Sequence, residues 1–145
     1  MEPTVSIRTA GEADLDALTD VWERAARSSH GFMDPDDFAE LRPFMRDAYL
    51  PSMDVRLAES DGEAVAFVGS SDDHVELLYV DPPMHGRGLG TRLLAEVGPD
   101  GAHSVEVYAD NTVGVGFYRS QGFIEVLRRE TDAAGRHYPM VVLKR

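Results

Sequence analysis

The spacing of the apolar residues changes several times along the chain, and each change marks a new structural element. Residues 5–8 predict a first strand, and apolar residues at helical spacing then predict a helix over about 12–27. Thr9 opens a capping-box pattern at the start of this helix. Asp34, with a proline after it, predicts the start of a second helix, and Pro43 should kink or split that helix.

From residue 55 the apolar period becomes that of strands. A hairpin should turn at Asp61-Gly62, and a turn at 71–73 should lead to a strand that ends before Pro82. The elements predicted after it are a helix over 89–97, a strand over 104–108, a helix over 112–121 and two strands near 123–130 and 137–144. The order βα(α)βββαβαββ predicts a mixed α/β fold, with antiparallel strands first and one parallel crossover in the middle. We expect a single domain over 1–145.

Composition and charge narrow the possible functions. The 145 residues are 43% hydrophobic and 28% charged, which is typical of a globular chain, and no apolar run is long enough to cross a bilayer. The start, Met1-Glu2-Pro3-Thr4, lacks the basic and apolar stretches of a secretory signal, and the absence of Cys excludes disulfides and thiolate chemistry. A net charge of -12 repels phosphate, so nucleic acid is not expected as a partner. We therefore expect a cytoplasmic protein.

A glycine-rich loop between a strand and a helix carries the strongest chemical signal. Gly86, Gly88 and Gly90 let backbone N–H groups approach an anion closely, and the helix N-terminus adds partial positive charge. Phosphate or pyrophosphate is the expected ligand, with a plain connecting turn as the alternative. Thr91 stands where a Walker loop needs Lys and where a dinucleotide fingerprint needs its third Gly, so both of those motifs fit poorly.

Two blocks of the sequence resemble the GCN5-related N-acetyltransferase (GNAT) superfamily. The block 85–90, His-Gly-Arg-Gly-Leu-Gly, matches the family's Gln/Arg-x-x-Gly-x-Gly/Ala loop, with His85 in place of Gln or Arg. The block 111–123 matches Asn-x-x-Ala-x-x-Phe-Tyr-x-x-x-Gly-Phe, with Gly114 in place of Ala. The N-terminal Ser-His-Gly-Phe and the C-terminal Gly-x-x-Tyr-Pro further resemble small single-domain bacterial members of the YjaB type.

This resemblance implies a fold, a reaction and a donor. The fold would be a mixed, mostly antiparallel sheet that is splayed between its two parallel middle strands and flanked by helices. The reaction would move an acetyl group from acetyl-CoA, the donor co-substrate, directly to a primary amine of a small molecule, peptide or protein. The backbone of Leu78 and Val80 would pair with the pantetheine arm like an added strand. The residues assigned to acetyl-CoA are Leu78, Tyr79, Val80, His85, Gly86, Arg87, Gly88, Leu89, Gly90, Thr91, Asn111 and Tyr118.

Direct acetyl transfer also needs a base for the amine and an acid for the departing thiolate. Tyr118 is the candidate acid by its motif position, because a phenol keeps its proton at neutral pH. Its alternative role is that of a core aromatic residue. His74 and Glu76 share one face of their predicted strand, and either could be the base, with a chain of water molecules as the third alternative. Asn111 could cap the next helix as well as contact CoA.

The acceptor pocket should be lined by the loop between the first two helices and by the last hairpin. By resemblance, His30, Phe32 and Tyr138 are its candidate residues, although Phe32 could equally be a hydrophobic staple for the second helix. The remaining histidines show no metal-ligand spacing, so no metal is predicted.

Two other functions stay open at this point. The same fold could bind acyl-CoA as a regulatory module without turnover, in which case Tyr118 would have no catalytic role. It could also acetylate aminoacyl-tRNA, but the charge of -12 argues against a tRNA partner. The sequence leaves the amine unidentified and is compatible with a monomer or a homodimer.

Overall fold

The computed structural model describes residues 4–145 and contains a seven-stranded sheet in the order β1-β2-β3-β4-β5-β7-β6. The strands are β1 (Val5–Thr9), β2 (Asp54–Ser60), β3 (Glu63–Ser71), β4 (His74–Val80), β5 (Ser104–Tyr108), β6 (Ile124–Arg129) and β7 (Met140–Lys144). The helices are α1 (Leu15–Ser29), α2 (Pro35–Phe44), α3 (Leu89–Ala95) and α4 (Thr112–Ser120). The neighbouring strands are antiparallel except for β4 and β5, which are parallel. The predicted element order and mixed sheet are confirmed.

The predicted absence of a secretory signal concerns Met1 to Pro3, which lie outside the described residues. Within residues 4–145, no helix has both the length and the apolar character that a membrane span requires.

The start of α1 differs from the predicted pattern. A 3₁₀ turn, Glu12–Asp14, precedes the helix, and the carboxylate of Asp14 accepts a hydrogen bond from the backbone N–H of Gly11 at 2.8 Å. Thr9 is the last residue of β1, so its predicted capping role is wrong. The reason is that Thr9 is paired with Arg56 in the β1–β2 ladder, which keeps its backbone in the strand.

The second helix begins as predicted and ends in an unusual way. Asp34 caps α2, because its Oδ1 accepts a hydrogen bond from the N–H of Asp36 at 2.9 Å. Pro43 does not break α2, since it lies one residue before the helix ends. Proline has no N–H to donate, and the chain continues as a π turn, Met45–Tyr49, followed by a 3₁₀ turn. This widened turn places Tyr49 against the sheet.

The core has two layers because the central strands are buried on both faces. Along β3, Phe67 packs with residues of α1 and α2, while its neighbours Ala66 and Val68 pack on the other face with residues of α3. Side chains of a strand alternate between the two faces of the sheet, so these three consecutive buried residues belong to different layers.

The parallel pair of strands separates soon after it begins. β4 and β5 are paired only at His74–Ser104 and Val75–Val105. Within the described chain, the rest of β4 has a strand neighbour on one side only, namely β3. The splay that the resemblance implied is therefore confirmed, and it opens a gap in the middle of the sheet.

Candidate active site

The gap between β4 and β5 leads into a cavity of about 440 Å³. Its walls come from the C-terminal half of β4, the glycine loop, α4, the helices α1 and α2 with the turn that follows α2, the strand β5, and residues 132–134 and 140. The predicted cofactor residues that line it are Leu78, Tyr79, Val80, His85, Gly86, Gly88, Leu89, Gly90, Thr91, Asn111 and Tyr118. Arg87 is the one predicted cofactor residue whose side chain is not part of this wall. The structure thus brings eleven of these twelve positions to one cavity.

The glycine loop is open on the side that faces the cavity. Gly86 and Gly88 have φ values of +78° and +76°, which side chains rarely adopt, and a Cβ built on either residue would meet nothing within 4 Å. The loop therefore leaves the open space that the predicted phosphate contact requires, and that contact stays a prediction. Gly90 serves packing instead, because a Cβ there would lie 3.0 Å from the Cζ of Phe117.

His85 has a contact that the sequence did not reveal. Its Nε2 lies 2.8 Å from the carbonyl oxygen of Val80, and a carbonyl only accepts, so this nitrogen carries the proton. The imidazole therefore closes the turn between the end of β4 and the glycine loop.

Tyr118 lines the cavity from α4 and is almost fully buried. Its ring packs against Phe117 and Phe123 at centroid distances of 5.2 and 5.7 Å. Burial raises the pKa of its hydroxyl, so the phenol is protonated throughout the neutral range. Tyr118 thus packs in the core, as its alternative role implied, and also lines the cavity, while its role as the acid stays a prediction.

Asn111 connects the cofactor side of the cavity to His30. Its Oδ1 caps α4 by accepting a hydrogen bond from the N–H of Gly114 at 3.0 Å, and its Nδ2 lies 3.4 Å from the Nε2 of His30. A Cβ on residue 114 would lie 2.5 Å from that Nδ2, so Asn111 would have to shift if Gly114 carried a side chain. Burial lowers the pKa of His30 to about 4, so its ring is neutral at neutral pH.

The three candidate acceptor residues have different positions. His30 lines the cavity, whereas Phe32 and Tyr138 pack behind it in an aromatic cluster. The hydroxyl of Tyr138 accepts from the N–H of Asp34 at 3.1 Å and donates to the carboxylate of Asp37. Tyr138 therefore anchors the last hairpin to the start of α2.

The two candidate bases are also placed differently. Glu76 lines the cavity, whereas His74 lies behind it, with its Nε2 3.7 Å from the Oε1 of Glu76. The Nδ1 of His74 is 2.7 Å from the Oγ of Ser104. The hydroxyl of Tyr49 donates to the Oε2 of Glu76 at 2.7 Å. Burial and this carboxylate raise the pKa of Tyr49, so its hydroxyl remains a donor.

Glu106 is a cavity residue that the motif analysis missed. One ligand atom each from His74, Glu76 and Glu106 lie within 4.8 Å of one another. Arg129 on β6 donates from its Nε to the Oε1 of Glu106 at 3.0 Å. Sequence spacing did not show this cluster because its members come from two strands. The prediction that no metal binds here stays a prediction.

A sheet that splays beside an open glycine loop defines an acetyl-CoA-dependent acetyltransferase, and comparison with known proteins agrees. The family model described as an acetyltransferase (GNAT) domain matches residues 22–144, and the chain therefore belongs to the GNAT family. It is an enzyme that transfers an acetyl group from acetyl-CoA to an amine.

Particular relatives cover almost the whole chain. The chain is 30% identical over 143 residues to the peptidyl-lysine N-acetyltransferase YjaB of Salmonella typhimurium, with 96% of this chain and 97% of that protein covered. The solution structure of apo YjaB from Escherichia coli has a TM-score of 0.85 and 28% identity over 97% of each chain. The PaiA N-acetyltransferase of Thermoplasma acidophilum, solved with coenzyme A, has a TM-score of 0.73 and 18% identity over 98% of this chain and 99% of that chain.

Proposed function

We propose that this enzyme acetylates the side-chain amine of lysine in a peptide or protein. The observation that carries the proposal is the charge of the cavity wall. Three carboxylates, from Glu76, Glu106 and Asp132, line the cavity, and no Lys or Arg is found among its described lining residues. Such a wall attracts a cationic ammonium group. The name of the YjaB relative, a peptidyl-lysine N-acetyltransferase, supports the same acceptor.

The proposed donor site uses backbone more than side chains. The open loop at Gly86 and Gly88 would hold the pyrophosphate, and the free edge of β4 at Leu78 and Val80 would pair with the pantetheine amides. Acetyl-CoA supplies the thioester whose acetyl carbon the amine attacks. The chain's own task is to hold the two reactants in contact and to move two protons.

Glu76 is proposed to take the first of these protons. Among the two candidates it is the residue that reaches the cavity, so it can accept a proton from the acceptor ammonium. His74 lies 3.7 Å behind it and would pass that proton toward solvent. The free amine then forms the new C–N bond while the C–S bond breaks, and the amide nitrogen loses its second proton.

Tyr118 is proposed to donate the proton that the departing sulfur needs. Tyr118 lines the cavity, and among the described residues its hydroxyl has no hydrogen-bond partner that would compete for its proton. The second proton from nitrogen then returns the Tyr118 phenolate to its neutral form, so the net products are the N-acetyl amine, CoA and the one proton that Glu76 and His74 release to solvent.

The wider expectations stay predictions. They are one N-acetyltransferase domain over 1–145, a cytoplasmic location, a monomer or homodimer, and no nucleic acid or membrane partner. A module that binds acyl-CoA without turnover remains the alternative function. The cavity-facing Tyr118 and Glu76 favour turnover, because binding alone needs neither an acid nor a base.

The test is thiol release from acetyl-CoA with three matched peptides. One peptide contains a single lysine and a blocked N-terminus, the second has the same lysine already acetylated, and the third has a free N-terminus and no lysine. We expect release only with the first peptide, with the acetyl group located on its lysine by mass spectrometry. Release with the third peptide alone would assign an N-terminal acceptor, and binding of acetyl-CoA without release with any amine would establish the regulatory module.

A further inference from the structure

We propose that Glu106 is a specificity-determining residue that holds the ammonium group of the acceptor opposite Glu76. The inference rests on the proposed function, because it names a second contact in the same acceptor site.

The register of the parallel strands places the two carboxylates across the gap. β4 and β5 are last paired at Val75–Val105, and Glu76 and Glu106 are the next residues on their strands. The contact between His74 and Ser104 shows that both strands point these alternate side chains to the same face. Glu76 and Glu106 therefore flank the point where the gap opens into the cavity, and both line its wall.

The two carboxylates leave one negative charge without a cation. Like charges on neighbouring strands repel each other. Arg129 forms a salt bridge with Glu106, and Tyr49 gives Glu76 a hydrogen bond but no charge. Among the described side chains of this cluster, Arg129 is the permanent cation. A second cation between the carboxylates would relieve the repulsion that remains.

Each carboxylate also has an oxygen available for a ligand. Tyr49 uses the Oε2 of Glu76, and Arg129 uses the Oε1 of Glu106. The Oε1 of Glu76 has the Nε2 of His74 3.7 Å away, beyond hydrogen-bond distance, so it can still accept a hydrogen bond, as can the Oε2 of Glu106. An ammonium group has three donors, so it can give one to each side. The roles then separate: Glu76 takes a proton, while Glu106, held by Arg129, keeps its charge and position.

The first experiment compares the isosteric variants Glu106→Gln and Glu125→Gln. Glu125 lies on β6 outside the cavity wall and pairs with Arg128, so its variant has the same change in net charge. A hydrogen bond to a charged group is worth enough to predict a rise of about 10- to 100-fold in KM for a lysine peptide in Glu106→Gln. We expect nearly unchanged kcat and KM for acetyl-CoA in this variant, and wild-type constants in Glu125→Gln.

A second acceptor separates recognition of charge from a merely structural role. In this peptide an aminooxy group replaces the end of the lysine side chain, and its weakly basic nitrogen is uncharged at neutral pH. We expect Glu106→Gln to leave KM for the aminooxy peptide unchanged. An equal rise in KM for both peptides, or no rise for the lysine peptide, would overturn the proposal.

A binding measurement tests the role of Glu106 separately from the proposed acetylation of lysine. The CoA-loaded protein is titrated with n-butylamine in a calorimeter, without any turnover. We expect weaker binding in Glu106→Gln than in wild type and Glu125→Gln, even if lysine peptides are not the acceptors. If wild type acetylates lysine peptides but Glu106→Gln binds the amine as wild type does, the function stands and the role of Glu106 is wrong. Absence of amine binding to wild type also overturns that role.

Discussion

The Oγ of Ser104 lies 2.7 Å from the Nδ1 of His74 and joins the two parallel strands at one of their two paired positions. Ser104 is buried, so this contact is fixed by the packing of β5. It turns the imidazole so that Nε2 faces Glu76. Ser104 on β5 thus orients His74 on β4, which lies behind the cavity carboxylate of Glu76.

This arrangement predicts an order among three variants. Glu76→Gln should lose the most turnover, about 10²- to 10⁴-fold, because it removes the group that reaches the amine. His74→Gln should lose less, since it removes only the next proton carrier. Ser104→Ala should cause a small loss in wild type and no further loss in His74→Gln, which a double-mutant cycle of kcat measures. Equal losses in Glu76→Gln and His74→Gln would contradict the proposed order.

The glycine loop predicts a loss of donor affinity in Gly88→Val. The side chain would enter the open space beside residue 88, and the φ of +76° would be strained. We expect the Kd for acetyl-CoA to rise about tenfold or more, measured by calorimetry. Gly62→Val is the matched control, because Gly62 has a φ of +79° and open space but lies in the β2–β3 turn. Equal Kd values in the two variants would show that strain alone causes the loss.

The acid role predicts a specific kinetic pattern for Tyr118→Phe. The ring and its packing against Phe117 and Phe123 remain, and only the hydroxyl is lost. We expect kcat to fall about 10²- to 10⁴-fold while the Kd for acetyl-CoA stays near that of wild type. Undiminished turnover in single-turnover experiments would exclude Tyr118 as the acid, whichever step limits the steady state.

Burial of His30 predicts a dependence of stability on pH. Its pKa falls from 6.5 to about 4 on folding, so between these values the unfolded chain binds the proton and the folded chain does not. The described groups that face the ring are the amide of Asn111 and the aromatic rings of Phe32, Tyr79 and Tyr108. Stability should therefore be highest above pH 6.5 and should decrease as the pH falls toward 4.

The measurement is urea unfolding of wild type and His30→Gln at about pH 7.5 and about pH 5. Gln is neutral at both values, so subtraction removes the contributions of the other titrating groups. We expect wild type to lose about 2 kcal/mol more than the variant over this interval. The same loss in both proteins would show that His30 is protonated in the folded state.

The sequence predicted those parts of the molecule that depend on local patterns. The order of elements, the turn at Asp61-Gly62, the cap of α2 at Asp34 and the glycine loop each follow from neighbouring residues, and each is found in the structure. The family motifs added the splayed sheet, which no local pattern contains.

The parts that were missed depend on strand register and helix irregularity. Glu106 lies near Glu76 because residue 74 pairs with residue 104 in the parallel strands. The signal available in the sequence was that Glu76 and Glu106 are separated by 30 positions, the same separation as this pair of residues. Tyr49 reaches Glu76 because the helix continues after Pro43 as a wider π turn. The sequence predicted a kink at Pro43 but not the direction in which the chain leaves it. Phe32 and Tyr138 lie near the predicted acceptor pocket, but they pack behind the residues of the cavity wall and do not line it.

The contacts of the last hairpin with α2 determine when the acceptor site can form during folding. Asp34 and Asp37 bind Tyr138, and Asp37 binds Arg136, across separations of 99 to 104 positions. Closing such long loops costs chain entropy, so these contacts form late, whereas the cofactor residues lie within the contiguous segment 74–123. Local unfolding of the hairpin would therefore free α2 from Tyr138 and Arg136, and it would also take the antiparallel partner β7 away from β5, the strand that carries Glu106.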